Sequence, residues 1–134
     1  LSVLRRATGW QLRNLDTKSG KTPDAFWLRG TFFAGITAMY HKTGDNYYLR
    51  VAREQARKNE FKPGHLADGV HGADDLAISQ LYLDLYALDK KPEQLAPTQA
   101  ALDAVLTKTK PGAFEWYWVD ALFMAPPVWH RMAN

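Results

Sequence analysis

A chain of 134 residues suffices for one small domain with a real core, or for part of a larger one. Seventeen Lys and Arg against 14 Asp and Glu leave a net charge of +3, small and scattered, which argues for a solvated surface and against a nucleic-acid patch. The lack of cysteine excludes a disulfide framework and thiolate chemistry, and no apolar run approaches the ~20 residues of a membrane-spanning helix.

Leu1 in place of Met, and an end directly after a helical-looking run, lead to the expectation that the chain is cut from a longer protein. No basic-plus-apolar leader is visible, and the compartment stays open between the cytoplasm and the periplasm of a bacterium. Residues 1–15 read as the end of a helix, with Val3, Leu4, Ala7, Trp10 and Gln11 on one face at helical spacing, which Leu15 can extend. Residues 16–24 (DTKSGKTPD) are a polar loop of turn formers. Trp27 to Tyr40 opens the next helix, with an apolar stripe of Phe32, Phe33, Ile36, Met39 and Tyr40. Gly30 and Gly35 lower helix propensity there, so a neighbour is expected to pack close to the backbone at both.

Thr43-Gly44-Asp45 is a stop and a restart. Gly44 suits the left-handed position after a helix, and Asp45 can cap the next one. That helix runs to about Asn59, with Tyr48, Val51, Ala52 and Gln55 inward. The loop from Phe61 to Ala73 carries His65, Asp68 and His71. A metal site is conceivable in such a cluster, but neither a His-x₃-His pair nor cysteine supports it, and no metal or other cofactor is expected. Asp74-Asp75 opens a helix through about Leu88, with Ala77, Leu81, Tyr82, Leu85 and Leu88 inward. One acid can cap; the other is left at the same helix end, or both simply complement the dipole. Pro97 starts a further helix, which Lys110-Pro111-Gly112 ends.

The most informative stretch is Trp116-Tyr117-Trp118-Val119-Asp120-Ala121-Leu122-Phe123-Met124-Ala125-Pro126-Pro127. Asp120 sits where a helix should begin, and its carboxylate can cap that helix. Trp116 and Trp118 are either filler beside a capped core helix, or a dry wall that raises the acid's pKa and a flat floor for a sugar. The proline pair should break the helix after about one and a half turns.

No stretch reads as a strand bounded by hairpin turns. Helix openings near Gly30, Asp75 and Asp120 recur every 45 residues, within the ~40–47-residue range of stacked helical hairpins. An open solenoid and a closed toroid both satisfy this period. The toroid is favoured, because helix starts on one rim would bring acids and aromatics to one mouth.

At these same residues the chain resembles a known family. Trp27-x-Arg29-Gly30-Thr31-Phe32-Phe33-Ala34-Gly35, Thr43-Gly44-Asp45-x-x-Tyr48-Leu49, Ala73-Asp74-Asp75-x-x-Ile78-x-Gln80-x-Tyr82-Leu83, and the Trp116–Pro127 stretch resemble, in order and spacing, the unsaturated uronyl hydrolases of glycoside hydrolase families 88 and 105. The resemblance implies an all-α fold, with residues 1–134 forming one helical domain that is about half of an (α/α)6 toroid. It also implies an enzyme whose partner is an oligosaccharide ending in an unsaturated uronic acid, with no nucleic acid and no membrane. These enzymes hydrate the C4=C5 enol ether of that sugar and do not attack C1, so the separation of carboxylates carries no retaining or inverting meaning. The implied general acid/base is Asp120, with Asp75, or Asp74, as the second carboxylate. Trp118 and Trp116 would flank the sugar; Arg29, near the same rim, could pair with the uronate carboxylate or simply cap structure, and Trp27 and His71 complete the expected substrate-binding set. The pattern departs from many members at Leu76 and Ser79. A helical-repeat module that binds carbohydrate or protein without turnover is the alternative.

Overall fold

A computed structural model describes residues 2–16, 20–21, 23–64, 72–108 and 118–134. The described residues form α1 (Ser2–Arg13), α2 (Trp27–Thr43), α3 (Asn46–Lys58), α4 (Ala73–Leu76), α5 (Ser79–Asp89), a 3₁₀ turn (Pro92–Gln94), α6 (Ala96–Lys108), α7 (Ala121–Met124) and α8 (Pro126–Ala133). None of the described residues is in a β-strand, and no described helix is long and apolar enough to cross a membrane.

Local chemistry sets the boundaries. α2 ends at Gly44, whose φ of 66° is the left-handed conformation that glycine adopts without a Cβ clash, and its N–H reaches the Tyr40 carbonyl. Asp45 then caps α3, its Oδ1 accepting the Tyr47 N–H at 3.0 Å. Arg5 reaches across from α1 and donates twice to the same carboxylate, at 2.7 Å each. The Tyr47 N–H first, and Arg5 second, hold Asp45 below the usual carboxylate range.

The core has two parts. In one, α2, α3 and α5 meet through Phe33, Ile36, Tyr48, Val51, Leu81, Tyr82 and Leu85. In the other, α4, α7 and α8 meet through Ala73, Leu76, Ala77, Ala121, Met124, Ala125 and Val128, with Leu83 and Leu102 from α5 and α6. Four residues of α3 predicted inward, Tyr48, Val51, Ala52 and Gln55, are all buried. Two predicted faces are not. Val3, Leu4 and Trp10 of α1 are exposed, and Thr8 and Leu12 turn inward instead, while Leu15 beyond the helix packs on the first core cluster as expected; the Arg5–Asp45 pair agrees with this rotation. Leu88 is exposed as well.

The helix expected to run from Asp74 to Leu88 is split at Ala77–Ile78, where i→i−3 hydrogen bonds tighten the chain. α2 crosses at this split, with Gly30 as the contact point. A Cβ on Gly30 would stand 2.7 Å from the Ile78 nitrogen and 2.9 Å from Ala77, against backbone that cannot swing away. Gly35, in contrast, has open space where its Cβ would be, so the close approach expected there is absent. Gly30→Ala should therefore destabilise by about 1–3 kcal/mol through overpacking. Gly35→Ala should stabilise by roughly 0.5–1 kcal/mol through helix propensity. Thermal melts of the two variants should move in opposite directions.

Candidate active site

The starts of α4 and α7 meet at one edge of the second core cluster. Ala121 and Met124 bury the inner side of α7 against Ala73, Leu76 and Ala77, so the chain entering α7 is drawn up beside the chain entering α4. Each entry carries acid: Asp74 and Asp75 on one, Asp120 on the other.

The two neighbouring acids of α4 have different surroundings. Asp75 is 6% exposed, and its Oδ2 accepts the Gly72 N–H at 3.2 Å, closing the first turn of the helix. Its backbone carbonyl accepts the Gly64 N–H at 2.8 Å. A Cβ on Gly64 would lie 2.6 Å from Asp75 Oδ1, so only glycine lets this segment close over the carboxylate. Asp74, one residue earlier, is exposed. Its carboxyl is pushed above the usual range, by burial first and by the neighbouring Asp120 charge second. Asp74 and Asp120 thus stand at neighbouring helix starts, close enough for the Asp120 charge to act on Asp74.

Asp120 occupies the position before α7, as expected, but does not cap it. Its φ and ψ of −66° and −20° are already helical, and its side chain accepts no N–H from the helix. Side-chain capping needs an extended residue at this position. The carboxylate is thus free of its own helix and exposed. Trp118 is 77% exposed, so the dry wall expected around Asp120 is not formed by Trp118. Val119, Leu122 and Phe123 are also exposed, giving an open apolar surface around the acid.

Two expected substrate-binding residues are engaged elsewhere. Arg29 is 6% exposed, and its guanidinium pairs with Asp24 and, at 2.8 Å, with Asp16. Asp24 also takes Lys58 at 2.9 Å, and its carbonyl accepts from Gln55 and Asn59. Arg29 therefore fastens the 16–24 loop to α2 and α3 and does not present a free fork to a uronate. The signal lay in the acids of DTKSGKTPD, which read only as turn formers. Trp27 is half-buried against the second core cluster and lies 5.9 Å from Phe26, ring centre to ring centre, so it serves packing. Trp116 and His71, together with His65 and Asp68, lie outside the described residues.

The sequence profile described as Glycosyl Hydrolase Family 88 matches residues 3–134. The chain belongs to that family. This family 88 chain is 35% identical over 121 residues to an unsaturated 3S-rhamnoglycuronyl hydrolase of Formosa agariphila, covering 81% of this chain and 31% of that protein. It is 29% identical to a protein of the same description from Alteromonas sp. (strain LOR), covering 96% of this chain and 37% of that protein. It thus spans about a third of the length of the curated relatives it matches. Among solved structures, a glycosyl hydrolase family 88 protein from Bacteroides vulgatus superposes with a TM-score of 0.71 at 26% identity, over 81% of this chain and 34% of that one. A polysaccharide lyase superposes with a TM-score of 0.77 at 21% identity, over 96% of this chain and 38% of that one, a likeness of fold alone. The family 88 chain has the all-α helical-toroid architecture and supplies part of it.

Proposed function

We propose that the intact protein carrying this chain is a glycoside hydrolase that removes 4,5-unsaturated uronic acid from the ends of lyase-generated oligosaccharides. The 134 residues are one helical domain of a larger (α/α)6 barrel in this reading. The observation that carries it is the packing of α4 against α7, which brings the acids at their starts, Asp74 and Asp120, to one edge of a family 88 chain.

Asp120 acts as the general acid/base and Asp74 as its partner. A proton is delivered to C4 of the enol ether, and water deprotonated by the same carboxylate adds at C5. The hemiketal so formed opens and releases the partner sugar. Asp74, whose carboxyl is pushed above the usual range by burial and by the Asp120 charge, is suited to hold a proton beside that acid. Asp75, closed into the first turn of α4, steadies the helix start that carries Asp74. The exposed indole of Trp118 offers a face on which a sugar can stack.

The test is incubation of the intact protein with an unsaturated uronyl disaccharide, following the ultraviolet absorbance of the conjugated double bond. The absorbance should decay as the free partner sugar appears. Binding of the disaccharide with no decay would replace this reading by the carbohydrate-binding module.

A further inference from the structure

We infer that Gln80 is a positioning residue, which latches the short helix α7, and with it Asp120, to the helical segment that carries Asp74. The inference rests on the enzymatic reading for its effect on rate, but its structural part stands on backbone accounting.

α7 has four residues and is followed at once by Pro126 and Pro127. In a continuing helix the Phe123 carbonyl would accept the N–H of residue 127, or of residue 126 in a tighter turn. Both are proline and have no N–H. The Met124 carbonyl fares little better, because residue 127 offers nothing and the Val128 N–H turns to Ala125 at 2.9 Å. The last turn of α7 therefore has carbonyls that its own chain does not satisfy.

Gln80 supplies the missing donor. Its Nε2 donates to the Phe123 carbonyl at 2.8 Å, with the Met124 carbonyl at 3.5 Å. Gln80 is the second residue of α5, which follows α4 after the tight turn at Ala77–Ile78. One continuous segment thus carries Asp74 at its start and, two turns later, grips the backbone of the element that carries Asp120. Apolar packing of Ala121 and Met124 sets how deep α7 lies, and the directional bond from the amide adds a constraint on its slide and rotation. α7 is too short to hold its own geometry, since an isolated helical turn is unfavourable.

The experiment compares Gln80→Leu and Gln80→Glu with wild type in the intact protein. Leucine keeps the bulk and removes the donor. Glutamate can donate when protonated and faces the carbonyls with a bare carboxylate when it is not. Hydrogen exchange read by mass spectrometry over residues 121–125 should quicken about 10-fold in Gln80→Leu, as expected for loss of one hydrogen bond holding a locally opening turn. In the unsaturated-uronide assay kcat should fall about 10-fold or more while KM stays within about threefold, the mark of misplaced chemistry and not of lost binding. The ratio of Gln80→Glu to wild-type activity should decline as pH rises through about 4 to 6, where a glutamate loses its proton. The pH dependence of Gln80→Leu should also shift, because Asp120 no longer stays beside Asp74.

Unchanged exchange at 121–125 together with unchanged kcat in Gln80→Leu would overturn the inference. So would a flat Gln80→Glu to wild-type ratio across that pH range. Should Gln80→Leu fail to fold, the glutamate series decides. If wild type consumes no unsaturated uronide, the functional reading fails by itself, and exchange at 121–125 alone judges Gln80.

Discussion

Asp120→Asn in the intact protein is expected to lower the rate of uronide hydration by about 10²–10⁴-fold, the range that a general acid/base supplies. The same substitution should leave stability within about 0.5 kcal/mol, because it touches neither core nor cap. The structural reason is specific. Asp120 stands at the head of α7 in helical conformation, its carboxylate accepts nothing from that helix, and it is exposed. An aspartate that capped α7 would instead lose helix stability on substitution, by about 1 kcal/mol. A thermal melt and a progress curve on one preparation separate these outcomes. Loss of turnover with an unchanged melt supports the assignment. Full turnover removes Asp120 from the chemistry and leaves a helical scaffold that binds without reacting.

Much of this arrangement is legible from sequence, and the exceptions have physical causes. Gly44 and Asp45 announce themselves, because a left-handed residue followed by a cap leaves few alternatives. Gly30 is legible as a close approach, but Gly35 five residues later carries the same signal without the contact. A helical glycine is only permission for a neighbour to come near. The face of α1 is misread because periodicity identifies an apolar stripe and not the surface that covers it. The face that α1 turns inward agrees with a charge pair between Arg5 and Asp45, forty positions apart. The partners of Arg29 are hidden for a similar reason. Asp16 and Asp24 sit in a loop whose composition says only that the chain turns there. The pairing of helix starts is legible because the hairpin period brings Asp75 and Asp120 to equivalent positions, and Asp74 with them. Which of the two acids of α4 faces Asp120 is not, since that depends on the segment at Gly64 closing over Asp75.

That distinction gives the second large effect. Asp74→Asn should reduce kcat about 100-fold, because it removes the second carboxyl that stands beside Asp120. Asp75→Ala should instead reduce stability by about 1–3 kcal/mol, since the Gly72 N–H loses its buried acceptor. The stability of the Asp74 variant has its own pH signature. Burial and Asp120 raise the Asp74 carboxyl in the folded protein above its unfolded value. The folded state therefore holds this proton more tightly, and the penalty for ionising it appears as pH rises through the carboxylate range. Asp74→Asn removes that penalty. The variant should gain stability relative to wild type on going from acid to neutral pH, while its activity stays low throughout. Denaturation midpoints at two pH values, one below and one above that range, provide the measurement. A catalytic defect in Asp75→Ala with full activity in Asp74→Asn would exchange the two roles. It would mean that the carboxylate closed into the first turn of α4 opens to the substrate during the reaction.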